Sequence, residues 1–178
     1  MENVFLKKKD HGTFTWADLG NVKEGRCNIG EEMPVLVYRL MQFSLLDVLT
    51  KGMGREKADR FFKEAGFLAG TEFARNVLDL HVDLNAFIAK LQKALLELKI
   101  GILHIENVSP NAQEIVLTVA EDLDCSGLPI TNENVCVYDE GFIAGVLGLY
   151  TGRQYSVHEI DCWASGSRVC RFKCVVNE

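Results

Sequence analysis

The chain has 178 residues, 48% of them hydrophobic and 25% charged, with a formal net charge of −6. These values describe one globular domain with at most a short extension, able to bury roughly 70% of its unfolded surface, and they exclude a disordered chain. The acidic balance argues against a nucleic-acid binder, which needs clustered Lys and Arg; the one basic run, Lys7 to Lys9, reads as a solvated tail.

Residues 1–30 read as an N-terminal extension with one short strand around Thr13 to Leu19. No secretory signal opens the chain, because the first apolar residues are few and precede the charges. The longest apolar run, residues 141–150, would span about 15 Å as a helix, half a bilayer. A cytoplasmic protein without a membrane span is expected.

Glu31-Glu32-Met33-Pro34 opens a first long helix, which runs to about Lys51 and stops at Gly52. A second helix covers residues 55–78, with a stripe of Ala58, Phe62, Ala65, Ala69 and Phe73. Gly66 and Gly70 lie beside that stripe, where they let another backbone come close or leave room for a ligand; close helix packing is the favoured reading. Asp83 caps a third helix that carries Leu84, Phe87, Ile88, Leu91, Leu95 and Leu98 on one face. The period then changes to two. Residues 100–107 and 114–121 read as a hairpin turning at Ser109-Pro110-Asn111. After a polar loop over 122–129, a fourth helix is expected over 135–150, with Gly141, Gly145 and Gly148 forming a small face. Residues 154–163 and 168–176 form a second hairpin about Ser165-Gly166-Ser167. Helices, hairpin, helix, hairpin is an α+β order with an antiparallel sheet.

Of six cysteines, Cys27 stands alone and Cys125, Cys136, Cys162, Cys170 and Cys174 crowd the C-terminal third. In a reducing compartment such clustering points to metal or redox chemistry. The strongest signal is Glu159-x-x-Cys162-x7-Cys170, with Cys136 upstream. A turn centred on Gly166 sets Cys162 opposite Cys170, with Cα atoms about 4.5–5.5 Å apart. Two thiolates about 2.3 Å from a tetrahedral zinc fit that separation. Cys136 falls in the first turn of the fourth helix, where the dipole favours a thiolate. Glu159 can supply a fourth, oxygen ligand. In a regular strand Glu159 and Cys162 point to opposite faces, so joint ligation requires a bulge or a strong twist between them. Cys174 lies about 13 Å beyond Cys170 along the strand and reads as a small core residue. The residues alone leave three states open: a metal site, a Cys162–Cys170 disulfide, or buried free thiols.

The segments Cys136-Val-Tyr-Asp-Glu-Gly-Phe-Ile-Ala-Gly145 and Val157-His-Glu159-Ile-Asp-Cys162-Trp-Ala-Ser-Gly166-Ser-Arg-Val-Cys170-Arg-Phe172 resemble the 4-vinyl reductase domain. Gly166 falls one residue further on than in that family's pattern. Pro34-Val-Leu-Val-Tyr-Arg39 and the segment from Ala65 to Gly70 are also similar, so the likeness covers residues 34–176. It implies a single domain over 31–178 with helices packed on a twisted antiparallel sheet. That fold is similar to those of nitric-oxide signalling and Golgi transport proteins, and it often dimerises. The resemblance further implies one structural zinc per chain, held by Cys136, Glu159, Cys162 and Cys170 as in aromatic-sensing bacterial activators. Iron is the alternative, since thiolate-rich sites favour either metal.

The function so implied is a small apolar ligand held between helices and sheet, in a binding or sensor domain. Phe62, Phe73, Phe87 and Trp163 are its candidate lining. Reductase activity is not carried over: a reductase needs a hydride source, and no Gly-rich dinucleotide fingerprint is visible. The expectation therefore leans away from an enzyme. Three alternatives stand beside it: a factor in tetrapyrrole reduction, a metal hydrolase with Glu159 as base, and a tethering protein without a small ligand. His104 and His158 read as strand polars rather than catalysts.

Overall fold

The computed structural model describes residues 14–177, and the Lys7–Lys9 run lies outside them. The described residues fall into two compact units, divided between Glu31 and Glu32. In the first, the expected strand is absent. Trp16–Leu19 form a 3₁₀ turn instead, and Val22–Gly25 a single helical turn. The reason is local: the Asp18 carboxylate accepts the Thr15 main-chain N–H at 2.8 Å, a capping contact that competes with extended backbone. Thr13, where the strand was expected to begin, lies outside the described residues.

Among its described residues the second unit holds four α-helices and four strands, with a 3₁₀ turn at Pro110–Ala112 joining the first two strands: α1 (Val35–Met53), α2 (Arg55–Val77), α3 (Leu84–Glu97), β1 (Ile102–Val108), β2 (Glu114–Ala120), α4 (Val137–Thr151), β3 (Tyr155–Asp161) and β4 (Cys170–Val176). The first long helix runs through Gly52 and stops at Gly54. Gly54 has φ +87°, a conformation open to glycine, and it also starts α2. Asp83 caps α3 by accepting the N–H groups of Asn85 and Ala86.

The sheet is antiparallel throughout, in the order β1-β2-β4-β3. One face carries Leu103, Ile115, Leu117, Val119, Val157, Phe172 and Cys174 into the core, against Phe87, Leu91 and Leu95 of α3 and Val146 and Leu147 of α4. Phe87 stacks on Tyr150 with ring centroids 3.8 Å apart.

The glycines serve close packing, as expected. A Cβ on Gly66 would collide with the Tyr138 carbonyl, and one on Gly70 with that of Phe142. In return, a Cβ on Gly141 would strike the Lys63 carbonyl and one on Gly145 the Phe67 carbonyl. α2 and α4 therefore touch backbone to backbone, and that contact fixes where α4 begins.

Candidate metal centre

Four pieces of chain deliver four sulfur atoms to one buried point. Cys136 is the residue from which α4 starts. Its position is held by a relay across α2, α4 and β3. Lys63 Nζ donates to Glu140 Oε2 at 2.7 Å and to the Val157 carbonyl at 2.8 Å, while Glu140 Oε1 accepts the Glu159 N–H at 2.8 Å.

The β3–β4 ladder shifts register between Glu159 and Asp161, leaving Ile160 as the extra residue. This is the irregularity that joint use of Glu159 and Cys162 requires. It is tolerated because side chains satisfy both main-chain groups of Glu159: Glu140 takes its N–H, and Asn134 Nδ2 donates to its carbonyl at 2.8 Å. Beyond the bulge, Cys162 opens the turn and Cys170 begins β4, paired with Val119 of β2.

Cys125 comes from the loop after β2. Asp122 Oδ1 accepts the N–H groups of Asp124 and Cys125, at 2.8 and 3.2 Å, and so turns the chain there. α1 clamps the same loop. Arg39 donates to the carbonyls of Leu123 and Ser126, and the Tyr38 hydroxyl donates to Asp124 Oδ1 at 2.7 Å.

The sulfurs of Cys125, Cys136, Cys162 and Cys170 all lie within 4.8 Å of one another, and all four residues are buried. Cys136 Sγ is 3.8 Å from Cys162 Sγ and 3.7 Å from Cys170 Sγ; Cys125 Sγ is 3.0 Å from Cys170 Sγ. Tetrahedral bonds of about 2.3 Å put sulfurs about 3.8 Å apart, which the two Cys136 distances match; the closer Cys125–Cys170 pair would have to spread for the set to hold a thiophilic metal. Contacts with Cys125, Cys136 and Cys170 lower the Cys162 pKa, and the same crowding raises that of Cys136. Glu159 sits beside this set. Its Oε2 accepts the Cys136 N–H at 3.0 Å, while its buried Oε1 has no hydrogen-bond partner. Burial pushes its carboxyl up to about 8.

The structure thus brings Cys136, Cys162 and Cys170 together with Glu159 at their edge. It adds Cys125, which the spacing argument did not select. The available signal was Asp122-x-Asp124-Cys125 directly after a strand, an Asx turn that aims its last residue inward. Cys174 is a core residue facing Ile115 and Val157, its thiol pushed up to about 12 by burial. His104 and His158 are exposed on their strands.

The four aromatic candidates do not converge. Phe87 lines a cavity of about 50 Å³ between α3, the sheet and α4. Phe62 lines a separate groove, Phe73 packs on Phe142, and Trp163 donates Nε1 to the Leu128 carbonyl at 3.0 Å. The inner cavity is apolar except for Asp122 and Asp139. Carboxyl oxygens of these two residues also lie within 4.8 Å of each other and of the Cys136 sulfur. Burial, then the neighbouring Asp124, raises Asp122 to about 6; burial and Asp122 drive Asp139 well upward.

This architecture defines an α+β domain with a buried four-thiol cluster beside an apolar cavity. Residues 115–176 match the family model of the V4R domain, which bears out the resemblance to the 4-vinyl reductase domain over that stretch. An uncharacterized protein of Methanocaldococcus jannaschii is 26% identical over 155 residues, covering 87% of this chain and 83% of the relative. Among solved structures, the phenol-responsive sensory domain of the transcription activator PoxR, with phenol, superposes with a TM-score of 0.64. It is 15% identical and covers 83% of this chain and 76% of its own. A trafficking protein particle complex subunit 3 from Naegleria fowleri, covalently bound to palmitic acid, gives 0.59 at 12% identity, with 82% and 98% covered. An H-NOX protein from S. oneidensis gives 0.51 at 15% identity, with 77% and 74% covered. The fold is therefore the one expected, shared with both a trafficking subunit and an H-NOX protein. Among the described residues no helix is long and apolar enough to cross a membrane.

Proposed function

We propose that this protein is a ligand-binding or sensor domain in which a structural zinc fixes one wall of a pocket for a small apolar molecule. The observation that carries this reading is the shared wall. Asp122 and Asp139 line the inner cavity and also lie against Cys136, so a metal on the thiols would anchor the loop, the start of α4 and the last hairpin around the cavity at once. Four sulfur ligands leave no open position, which suits a structural metal. A set of reduced thiols also suits a reducing compartment such as the cytoplasm.

The PoxR domain, with its phenol, supports a single-ring ligand. The cavity is about a third of the roughly 150 Å³ that takes benzene in an engineered core. Entry of a ring therefore needs side chains such as Ile88 and Ile143 to move. We further propose a domain over residues 31–178 that pairs as a homodimer through the outer face of α1, where Leu36, Val37, Leu40 and Val48 are exposed.

The test measures metal content and thermal stabilisation by phenol and toluene, on wild type and on Ile88→Phe, which fills the cavity. One zinc per chain, with a melting shift abolished in Ile88→Phe, is the expected result. Absence of metal in reduced protein, together with no shift at millimolar ligand, would refute the reading.

A further inference from the structure

We propose that the groove between α1 and α2 is a second ligand site, separate from the inner cavity, for a neutral linear amphiphile whose head donates one hydrogen bond, such as a long-chain alcohol. The groove has a volume of about 430 Å³, within the usual range of roughly 300–1,000 Å³ for small-molecule sites. Its α1 wall runs from Tyr38 to Met53 on one helix face, about 22 Å at 1.5 Å per residue, so the shape is elongated.

The two ends differ. Because α1 and α2 meet at Gly54, Leu49, Met53 and Phe61 form an apolar end. Tyr38, Gln42 and Tyr138 form the other, where Gly66 lies against the Tyr138 carbonyl.

Gln42 supplies the chemical demand. It is 9% exposed, it lines the groove, and its Oε1 is buried without a hydrogen-bond partner. A buried carbonyl oxygen left unpaired is destabilising, and a donor arriving with a ligand would remove that penalty. The demand is for a donor, because the neighbouring Tyr38 hydroxyl already donates to Asp124. No Lys or Arg lines the groove, and Asp124 lies directly behind Tyr38. Arg39, the cation beside Asp124, is already engaged with the Leu123 and Ser126 carbonyls, so a carboxylate head would find no free counter-charge and a like charge close by. The preferred head is therefore a neutral hydroxyl, and a fatty acid is disfavoured.

The test is calorimetric titration of the full chain with 1-decanol and with decanoate. Wild type is expected to bind one 1-decanol per chain and to bind decanoate at least tenfold more weakly. Gln42→Leu should weaken 1-decanol at least fivefold, since the acceptor oxygen is gone. Gln42→Met, unbranched and apolar, gives the same readout if the Leu variant does not fold. Ala65→Phe, which fills the groove, should abolish binding, and Ile88→Phe in the inner cavity should leave it unchanged. Equal or tighter binding of decanoate, or unchanged affinity in both Gln42 variants, overturns the proposal. So does absence of 1-decanol binding because a second copy covers the groove, seen as a dimer that Ala65→Phe dissociates.

Discussion

Cys136 gives its main-chain N–H to Glu159 Oε2 at 3.0 Å while its sulfur lies 3.8 Å from that of Cys162. One residue at the start of α4 thus engages the chain on both sides of the Ile160 bulge, at Glu159 within β3 and at Cys162 just past its end. The carboxylate holds the amide, and the sulfur is left free to meet the other thiols. This separates two roles that proximity alone would merge. In the proposed metal site Glu159 would then act as a positioning group for Cys136, with the sulfurs as the donor set. The arrangement has measurable consequences.

Metal content should follow the sulfurs. Wild type is expected to hold one zinc per chain, and Cys125→Ser or Cys170→Ser to hold well under half of that. Glu159→Gln should keep its metal, because an amide oxygen can still accept the Cys136 N–H. Losing the metal should lower the melting temperature by on the order of 10 °C, at about 2–4 °C per kcal/mol for a chain of this size. Elemental analysis beside a thermal scan reads both. Full metal in Cys125→Ser with none in Glu159→Gln would instead make the carboxylate the fourth ligand.

Metal retention should depend on pH in one direction. Ligating sulfur must be thiolate, so protons compete with the metal and affinity falls as pH falls. Release to a chromophoric chelator is expected to be slow at pH 8 and to accelerate steadily toward pH 5. A release rate that does not change across that window would count against thiolate ligation.

The α1 clamp should matter to the Cys125 loop. Arg39→Ala removes two charge-assisted hydrogen bonds, to Leu123 and Ser126, and should destabilise the fold by about 1–3 kcal/mol. It should also speed metal release several-fold without changing stoichiometry, since Cys125 remains. Chelator kinetics at neutral pH check this; an unchanged rate would mean the loop is held by Asp122 alone.

Two glycine substitutions should have opposite effects. Gly141→Ala drives a methyl group into the Lys63 carbonyl and should destabilise by about 1–3 kcal/mol, because neither helix backbone can move away. Gly52→Ala sits within α1 with open space around it and should stabilise by about 0.5–1 kcal/mol. Chemical denaturation of both variants tests the packing directly.

The proposed dimer face is accessible to a single charge. Leu40→Glu, at an exposed position of α1, should shift the chain from dimer to monomer in sedimentation with little change in zinc content. A wild-type chain that is monomeric at all concentrations would remove that face from consideration.

Much of this was legible in the sequence, because it depends on short-range chemistry. Asp83 caps its helix, the change of period from 3.6 to 2 marks the strands, and Gly66, Gly70, Gly141 and Gly145 announce close backbone contact. Cys136, Cys162 and Cys170 could be grouped because a hairpin and a helix start are local features.

What only the tertiary structure decided is how distant pieces meet. The Ile160 bulge exists because Glu140 and Asn134, from outside the strand, satisfy the main chain of Glu159; no pattern within the strand encodes it. Cys125 joins the cluster because Asp122 turns its loop and α1 holds it from more than eighty residues away in sequence. The same long-range packing sends Phe62, Phe73, Phe87 and Trp163 to different surroundings, since a helical stripe specifies a face but not the partner that covers it.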